Sequence, residues 1–557
     1  MKKITLGLIL LLLNQFVSAQ FTNDTTANYI VRDSLSTEQL TPLSATTSTG
    51  QTYISWFDSY NSNYQLRMQL LDEFGNKLWP DSGLVVSSLP QNSALYRYDL
   101  KVDNEDNAIV AFQDERSGSL KVVAYKIGPS ANFIWGATGV ELTDSSAQGL
   151  APTIGVTMAN NAVIAWHADL GSSKWVSFQK ISSTGTVLWS KRIFDNTNTN
   201  KYSRAVLTSS GIDDIIMMYV EELGNFPGVT STLYSQIFDS NGDPVWSVPL
   251  QVSTKTIPYF VFPQIISDLN DGFFTAFNTS NPINPGLNDV YAQHVQANGT
   301  LWSATGTQVA NSSTEHKSTG GFCYNLLNDA FYINLQVLDG GQGSSGVFIQ
   351  GIDASGSVLM GANGIQLKNV DPIYYNPHAL VDAGNGLISI FSFGSFGAQQ
   401  IASIKTDYNG SLLWGFEPAI CNYNSNKDDL SAGLFKNNQT VIVWEDDRLD
   451  AGVYLQNLNG DGSFGIITSI TEVNRENELF LYPNPSSFPI LKLNSKTDDQ
   501  ASIIISSIEG EECLRRNYPI QSGINEIRID NMPFAAGIYL ITISTNTATS
   551  YTKWIKE

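Results

Sequence analysis

The sequence predicts an all-β chain: eight four-stranded blades forming a β-propeller, then a small immunoglobulin-like β-sandwich. Three observations predict it. A unit of a little over fifty residues recurs eight times between Tyr53 and Asn457, the repeat signature of a propeller. Most copies carry a turn of the form Gly-x-x-x-Trp. After Gly465 the repeat stops, and short alternating strand-like runs replace it.

The elements follow in chain order. Residues 1–19 read as a secretory signal peptide: Lys2 and Lys3, an apolar stretch from Ile4 to Leu13, then Val17-Ser18-Ala19 before Gln20. That apolar run is too short to span a bilayer, which needs about 20 residues, and no other stretch is long enough. The propeller is placed at 28–465. Its third unit shows the pattern best, with APTIGVTMA, NAVIAWHAD, KWVSFQKIS and TGTVLWSKRIF as strands A to D. Strand B recurs as NAIVAF, NAVIAW, GFFTAF and TVIVWED, alternating towards a buried face.

The turn tryptophans are Trp79, Trp135, Trp189, Trp246, Trp302 and Trp414, with Met360 in the same place in unit six, at spacings of 54–58 residues. A large flat side chain recurring at one position is read as blade-to-blade packing. The eighth unit lacks this turn. Residues Tyr29 to Trp56 align on Val140 to Trp166 with the tryptophans in register, so residues 29–34 are read as a D strand that completes the last blade and closes the ring. Seven blades is the runner-up count, unit six being the weakest. A polar linker is placed at 466–477 and the sandwich at 478–557.

Composition excludes several functions. A net charge of −21 and a pI near 4.5 argue against nucleic acid and anionic membrane surfaces, which need clustered Lys and Arg. Three scattered cysteines, Cys323, Cys421 and Cys513, form neither a disulfide framework nor a metal-spaced pair. The four histidines, His167, His294, His316 and His378, lack metal-site spacing, and no GxSxG, Walker or GxGxxG element opens a helix. No metal and no cofactor are expected. Carboxylates near the end of strand B (Asp58, Asp114, Asp169, Glu221, Glu222, Glu445, Asp446) mostly recur with the repeat, and so are assigned to the blades. The Asp-Arg pairs at 114/116 and 446/448 are read as hairpin turns tied by charge.

Two resemblances add to this. Residues 478–557 resemble the type A sorting domain of the type IX secretion system of Bacteroidota. The likeness rests on Leu481-Tyr482-Pro483-Asn484-Pro485, the strand-turn Ile505–Glu512, the strand Gly537–Ile543 containing Tyr539, and the basic end Lys553-Trp554-Ile555-Lys556. The resemblance implies export through the periplasm to the surface or medium, with the secretion machinery as partner. The Gly185…Trp189 turn resembles the tryptophan-docking motif of pyrroloquinoline-quinone-type propellers, but the adjacent cysteines of those enzymes are missing. Sialidase-type Asp boxes space Gly and Trp differently.

Departures from the repeat mark the candidate binding face. The D–A and B–C loops share one face, and the B–C loops are longest in units four to six: Gly224–Ser231, Asn278–Asp289 and Asp339–Gly346. The D–A loops carry unrepeated aromatic and polar residues: Tyr96, Tyr98, Tyr202, Tyr259, Phe260, Tyr374, Tyr375 and His378. Such rings suit glycan or peptide recognition, although they also suit sealing the blade tops. The favoured function is an exported binding or scaffold module. The alternative is a surface polysaccharide hydrolase or lyase on the same face. An unrepeated, convergent carboxylate pair in the central pocket favours the enzyme.

Overall fold

The computed structural model describes residues 20–557 apart from 35, 92, 94–96, 144–146, 172, 467–478, 483, 485, 496, 508–511, 530–533, 546–548 and 557. The expected signal peptide, nearly all of the expected linker, Tyr96, Pro483 and Pro485 lie outside the described residues. The chain divides after Ile466 into two compact units.

The first unit is a ring of eight four-stranded antiparallel sheets. Blade 1 runs Gln39–Thr46, Thr52–Tyr60, Asn63–Leu71 and Leu84–Gln91 from the axis outward. Blades 2 to 7 occupy 99–142, 148–193, 200–257, 266–308, 315–371 and 375–425. Blade 8 takes its three inner strands from Lys427–Ala432, Gln439–Asp446 and Gly452–Asn459, and its outer strand from Tyr29–Arg32, with Tyr29 paired to Leu455. The ring therefore closes through the N-terminal strand, which covers an edge that would otherwise stay unpaired.

The second strands are buried on both faces, Ala108–Asp114 without exception, because each blade is sandwiched between two others. Apolar clusters fill the interfaces between blades, as between blades 1 and 2 around Phe57, Phe112 and Tyr125. The closing interface holds Tyr29, Val31, Trp56, Val443 and Leu455.

The Gly-x-x-x-Trp turn is explained by the contact between one blade and the next. Trp135 donates from Nε1 to Ser183 O at 3.1 Å, Trp189 to Ser240 O at 2.9 Å, and Trp302 to Ala354 O at 2.9 Å. Each acceptor lies two residues before the glycine of the next turn. Those glycines, Gly185, Gly242 and Gly356, have φ of 96°, 77° and 86°, and a Cβ on any of them would meet the preceding tryptophan at 3.0 Å or less. Glycine thus supplies both the left-handed turn and the seat for the ring. At the ring closure Phe21 takes the tryptophan's place against Gly75. Trp79, Trp135 and Trp414 are buried, whereas Trp189, Trp246 and Trp302 are half-buried.

The second unit packs a three-stranded sheet (Leu479–Tyr482, Ile490–Ser495, Gly523–Arg528) with a four-stranded one (Asp499–Ser507, Glu512–Ile520, Gly537–Ser544, Thr549–Lys556). Leu491, Ile503, Ile541 and the fully buried Trp554 form its core.

Candidate functional site at the channel mouth

Most inner strands carry an irregularity where they enter from the loop-bearing face. The pairing slips between Leu40 and Leu43, Leu150 and Thr153, Ser203 and Val206, Thr319 and Phe322, Pro377 and Ala379, and Asp428 and Ser431. Bulges of this kind re-aim side chains. Inside four of them a non-glycine residue has positive φ: Thr41 (52°), Ala151 (49°), Arg204 (52°) and Asp429 (47°). A β-branched threonine there is strained, and such strain gathers at functional sites. The repeat conserves the bulge but varies its residue, so the mouth is ringed by dissimilar groups on a common backbone.

The channel contains a cavity of about 690 Å3, whose wall includes Thr41, Arg97, Tyr98, Gln264, His378 and Asp429. A second lobe of about 340 Å3 shares Arg97, Tyr98 and Gln264 with it and adds Arg204 and Phe262. The Arg97 guanidinium lies 4.3 Å from the Phe262 ring centroid and within electrostatic reach of Asp429. The Asp429 side chain is open to channel water yet surrounded by the wall. That surrounding, together with Asp428, raises its carboxyl above the usual range, against the pull of Arg97.

Glu445 lies behind this wall and accepts a 2.8 Å hydrogen bond from the N–H of Thr41. Partial burial pushes its carboxyl from 4.5 up to about 7; Asp429, Asp428 and Asp447 reinforce the rise and the Thr41 N–H opposes it. Four of the other strand-B carboxylates are ion-paired, whereas Glu221, also raised by burial, accepts from Asn200 Nδ2 at 3.3 Å. Asp58 pairs with Arg67 at 2.8 Å, Asp114 with Arg116 at 2.7 Å, Glu222 with Arg204 at 3.0 Å, and Asp446 with Arg448 at 2.7 Å and Lys427 at 3.1 Å. Those are blade residues, as the repeat implies, and both Asp-Arg turns are tied by charge. Glu445 departs from the repeat: by pairing with the third strand its counterparts are Phe57, Gln113, His167, Val220, Asn278, Gln336 and Ser392. Grouping it with Asp446 was too coarse a reading, because adjacent strand residues face opposite ways.

The expected binding residues separate. His378 lies in the cavity wall, shares a 2.8 Å hydrogen bond with Ser392 Oγ and is lowered to about 4 by burial, hence neutral at pH 7. Tyr98 borders the cavity but is buried, donating to Thr41 O at 2.7 Å. Tyr375 is buried against Phe391 and Phe393, and Tyr202 packs on Tyr219. Tyr259, Phe260 and Tyr374 remain on the loop face, Phe260 and Tyr374 exposed. Sequence reading missed Arg97, Arg204 and Asp429; Arg97 stands just ahead of an inner strand, Arg204 and Asp429 lie inside inner-strand bulges, and no motif marks either place. Among the described residues no group of three or more acidic, Cys or His side chains is placed to hold a metal ion.

In the second unit, motifs far apart in sequence meet. Asn484 donates from Nδ2 to Lys553 O at 2.7 Å and accepts from the N–H of Ile555 at 2.8 Å. Trp554 donates from Nε1 to Ser486 O at 2.8 Å. Gly537 pairs with Lys556 and Tyr539 with Trp554, so the late strand, the basic end and Asn484 form one edge. Residues 480–557 match the family model described as the secretion system C-terminal sorting domain. The C-terminal module is a type IX secretion sorting domain. The sorting domain directs the propeller to the cell surface or extracellular space and implies contact with the secretion machinery. No helix among the described residues is long and apolar enough to cross a membrane.

No curated protein matches the chain. Among solved structures, it is similar to a PL25 ulvan lyase at 9% identity, covering 80% of this chain and 97% of that one, with a TM-score of 0.41. It is also similar to polysaccharide lyase Uly1 at 10% identity, with coverages of 75% and 90% and a TM-score of 0.40. A third likeness is to an α-L-arabinanase of Penicillium chrysogenum at 11% identity, with coverages of 76% and 94% and a TM-score of 0.34. At such identities an activity does not pass from one propeller to another.

Proposed function

We propose that the protein is an exported enzyme that hydrolyses a polysaccharide at the mouth of the propeller channel, with Glu445 as proton donor and Asp429 as the second carboxylate. The observation that carries this reading is Glu445 itself. It is the strand-B carboxylate that departs from the repeat, it accepts from a strained backbone position of the channel wall, and its carboxyl is raised to about 7. A carboxyl with that pKa is protonated in about half of the molecules at neutral pH, the condition for general acid catalysis. Asp429, on the cavity wall and within electrostatic reach of Glu445, is assigned as the second carboxylate that a glycoside hydrolase requires. Arg97, cationic and open to the cavity, is suited to an acidic group or hydroxyls of the sugar.

The test is release of reducing ends from a panel of acidic and neutral polysaccharides by the full chain. Glu445→Gln and Asp429→Asn should each abolish release while still unfolding in one cooperative propeller transition. Unsaturated products would show elimination and overturn the hydrolytic roles. Release at normal rates by both variants would remove the carboxylates from the chemistry. A chain that binds a polysaccharide and cleaves none would be the binding module instead, the reading that the exposed loop aromatics favour.

A further inference from the structure

Two of the most exposed phenylalanines of the propeller touch each other. Phe226, 63% exposed, comes from the long loop between the second and third strands of blade 4. Phe260, 75% exposed, comes from the segment leading from blade 4 into blade 5. With the half-buried Tyr259 they form a triplet, with centroids 5.6 Å apart for Phe226–Tyr259, 5.7 Å for Phe226–Phe260 and 5.0 Å for Tyr259–Phe260. Isolated exposed apolar residues need no explanation, but a contiguous cluster does.

This triplet is held from beneath. Arg204, only 5% exposed, donates from Nη1 to the carbonyls of Tyr259 and Val261, the latter at 2.8 Å. Its Nη2 donates to Glu222 Oε1 at 3.0 Å and to Ser231 Oγ at 3.1 Å. One buried guanidinium thereby fixes the loop carrying Tyr259 and Phe260 and the far end of the loop carrying Phe226. Arg204 is also the strained bulge residue of blade 4 and part of the wall of the 340 Å3 lobe. A rigid, exposed ring cluster saves the ordering cost of binding, whereas a cluster needed only for folding would be covered.

We propose that Phe226, Tyr259 and Phe260 form a stacking subsite for sugar residues of the polysaccharide whose other end occupies the channel. This rests on the function proposed above. The faces of the rings offer apolar surface to the C–H face of a pyranose. Lys174, 5.8 Å from the Tyr259 ring centroid and 3.5 Å from Glu222 Oε2, and Lys201, 3.2 Å from Asn225 Oδ1, place cationic donors beside them. Cations beside the rings, on a chain of net charge −21, fit an acidic polysaccharide better than a neutral peptide. Arg204 lies both in the lobe wall and under the rings, so a chain leaving the lobe meets the triplet next.

The test uses the full chain and the variant Phe226→Ala/Phe260→Ala, whose altered side chains are solvent-exposed and leave the core intact. Affinity electrophoresis is run in gels containing alginate, polygalacturonate, carrageenan, xylan or arabinan, with reducing-end release from the same polymers in parallel. The wild type should be retarded by at least one acidic polymer, and the double variant should lose about tenfold or more in affinity, with kcat on a short oligosaccharide unchanged. Equal retardation of both proteins overturns the subsite while leaving the channel reading intact. Cleavage without retardation of the wild type overturns the subsite as well. Retardation that the double variant loses, with no polymer cleaved, keeps the subsite and removes the hydrolase. Neither retardation nor cleavage of any polymer overturns both.

Discussion

Replacing Glu445 with glutamine should make the propeller more stable at high pH and change little at low pH. In the native chain the carboxyl rises from 4.5 to about 7. Below the ordinary value both folded and unfolded chains carry the proton and nothing is gained or lost. Between the two values the unfolded chain ionises first, so the folded chain binds more protons and stability falls as pH rises. Above about 7 the penalty is complete, at roughly 3 kcal/mol by the usual conversion and about 2 kcal/mol once channel water is allowed to screen the charge. Glutamine keeps an oxygen for the Thr41 N–H and carries no charge to bury. The difference in stability between variant and wild type should therefore grow by about 2 kcal/mol from pH 5 to pH 8. For a domain of roughly 440 residues that is a midpoint difference of about 2 °C. Thermal unfolding of the propeller transition at several pH values measures it. A variant–wild-type difference that stays constant across this range would mean Glu445 titrates as an ordinary surface carboxyl, and the proton-donor role would fall with it.

Three further outcomes are expected. Arg448 donates to Thr26 O at 2.9 Å, Ala27 O at 2.8 Å and Asn28 Oδ1 at 3.1 Å while pairing with the fully buried Asp446. Arg448→Ala should therefore cost about 3–5 kcal/mol and expose the N-terminal segment to limited proteolysis; unchanged cleavage kinetics would show that the segment is held by other contacts. Trp79→Ala should cost about 3–5 kcal/mol and Trp189→Ala clearly less, because Trp79 is buried and Trp189 half-buried; equal losses in thermal unfolding would refute packing as the common role. Asn484→Ala should cost the sorting domain about 1–2 kcal/mol and leave more of the protein in the periplasm of its native host, read by fractionation with an antibody to the propeller; normal surface or medium levels would show that the tie to the basic end is dispensable for export.

How much of this was legible in the sequence depends on whether the repeat carried it. The blade count, the closing strand Tyr29–Arg32 and the packing tryptophans were legible because eight copies of one unit average out local noise. The match of Tyr29–Trp56 to Val140–Trp166 even located the outer strand of blade 8 ahead of the blades it closes. The meaning of the turn glycines was not legible. That Gly242 seats Trp189, and that Phe21 stands in against Gly75, are contacts between different units, and a repeat shows what recurs in each unit rather than what meets across them.

The candidate site was the least legible part, for the same reason in reverse. Tyr98 and Tyr375 have the sequence setting expected of ligand-facing rings, yet the fold turns them inward, Tyr98 onto Thr41 O and Tyr375 onto Phe391. A ring beside a strand is read alike from sequence whichever way it points, and one residue of register decides the matter. Arg97, Arg204 and Asp429 are each unremarkable in their own segment. They become a group only in the fold: Arg97 leads into the inner strand of blade 2 and lines the same cavity, while similar bulges give Thr41, Arg204 and Asp429 the same left-handed backbone. Glu445 shows the principle most directly. In sequence it is one of three consecutive carboxylates, Glu445-Asp446-Asp447, and looks like part of a charged turn. In the fold, strand alternation buries Asp446 among Lys427 and Arg448 and leaves Glu445 beside Thr41 with other carboxylates for neighbours. The framework places cations on the repeated carboxylates Asp58, Asp114 and Asp446, and Glu445, outside that register, keeps a raised carboxyl and a proton to give.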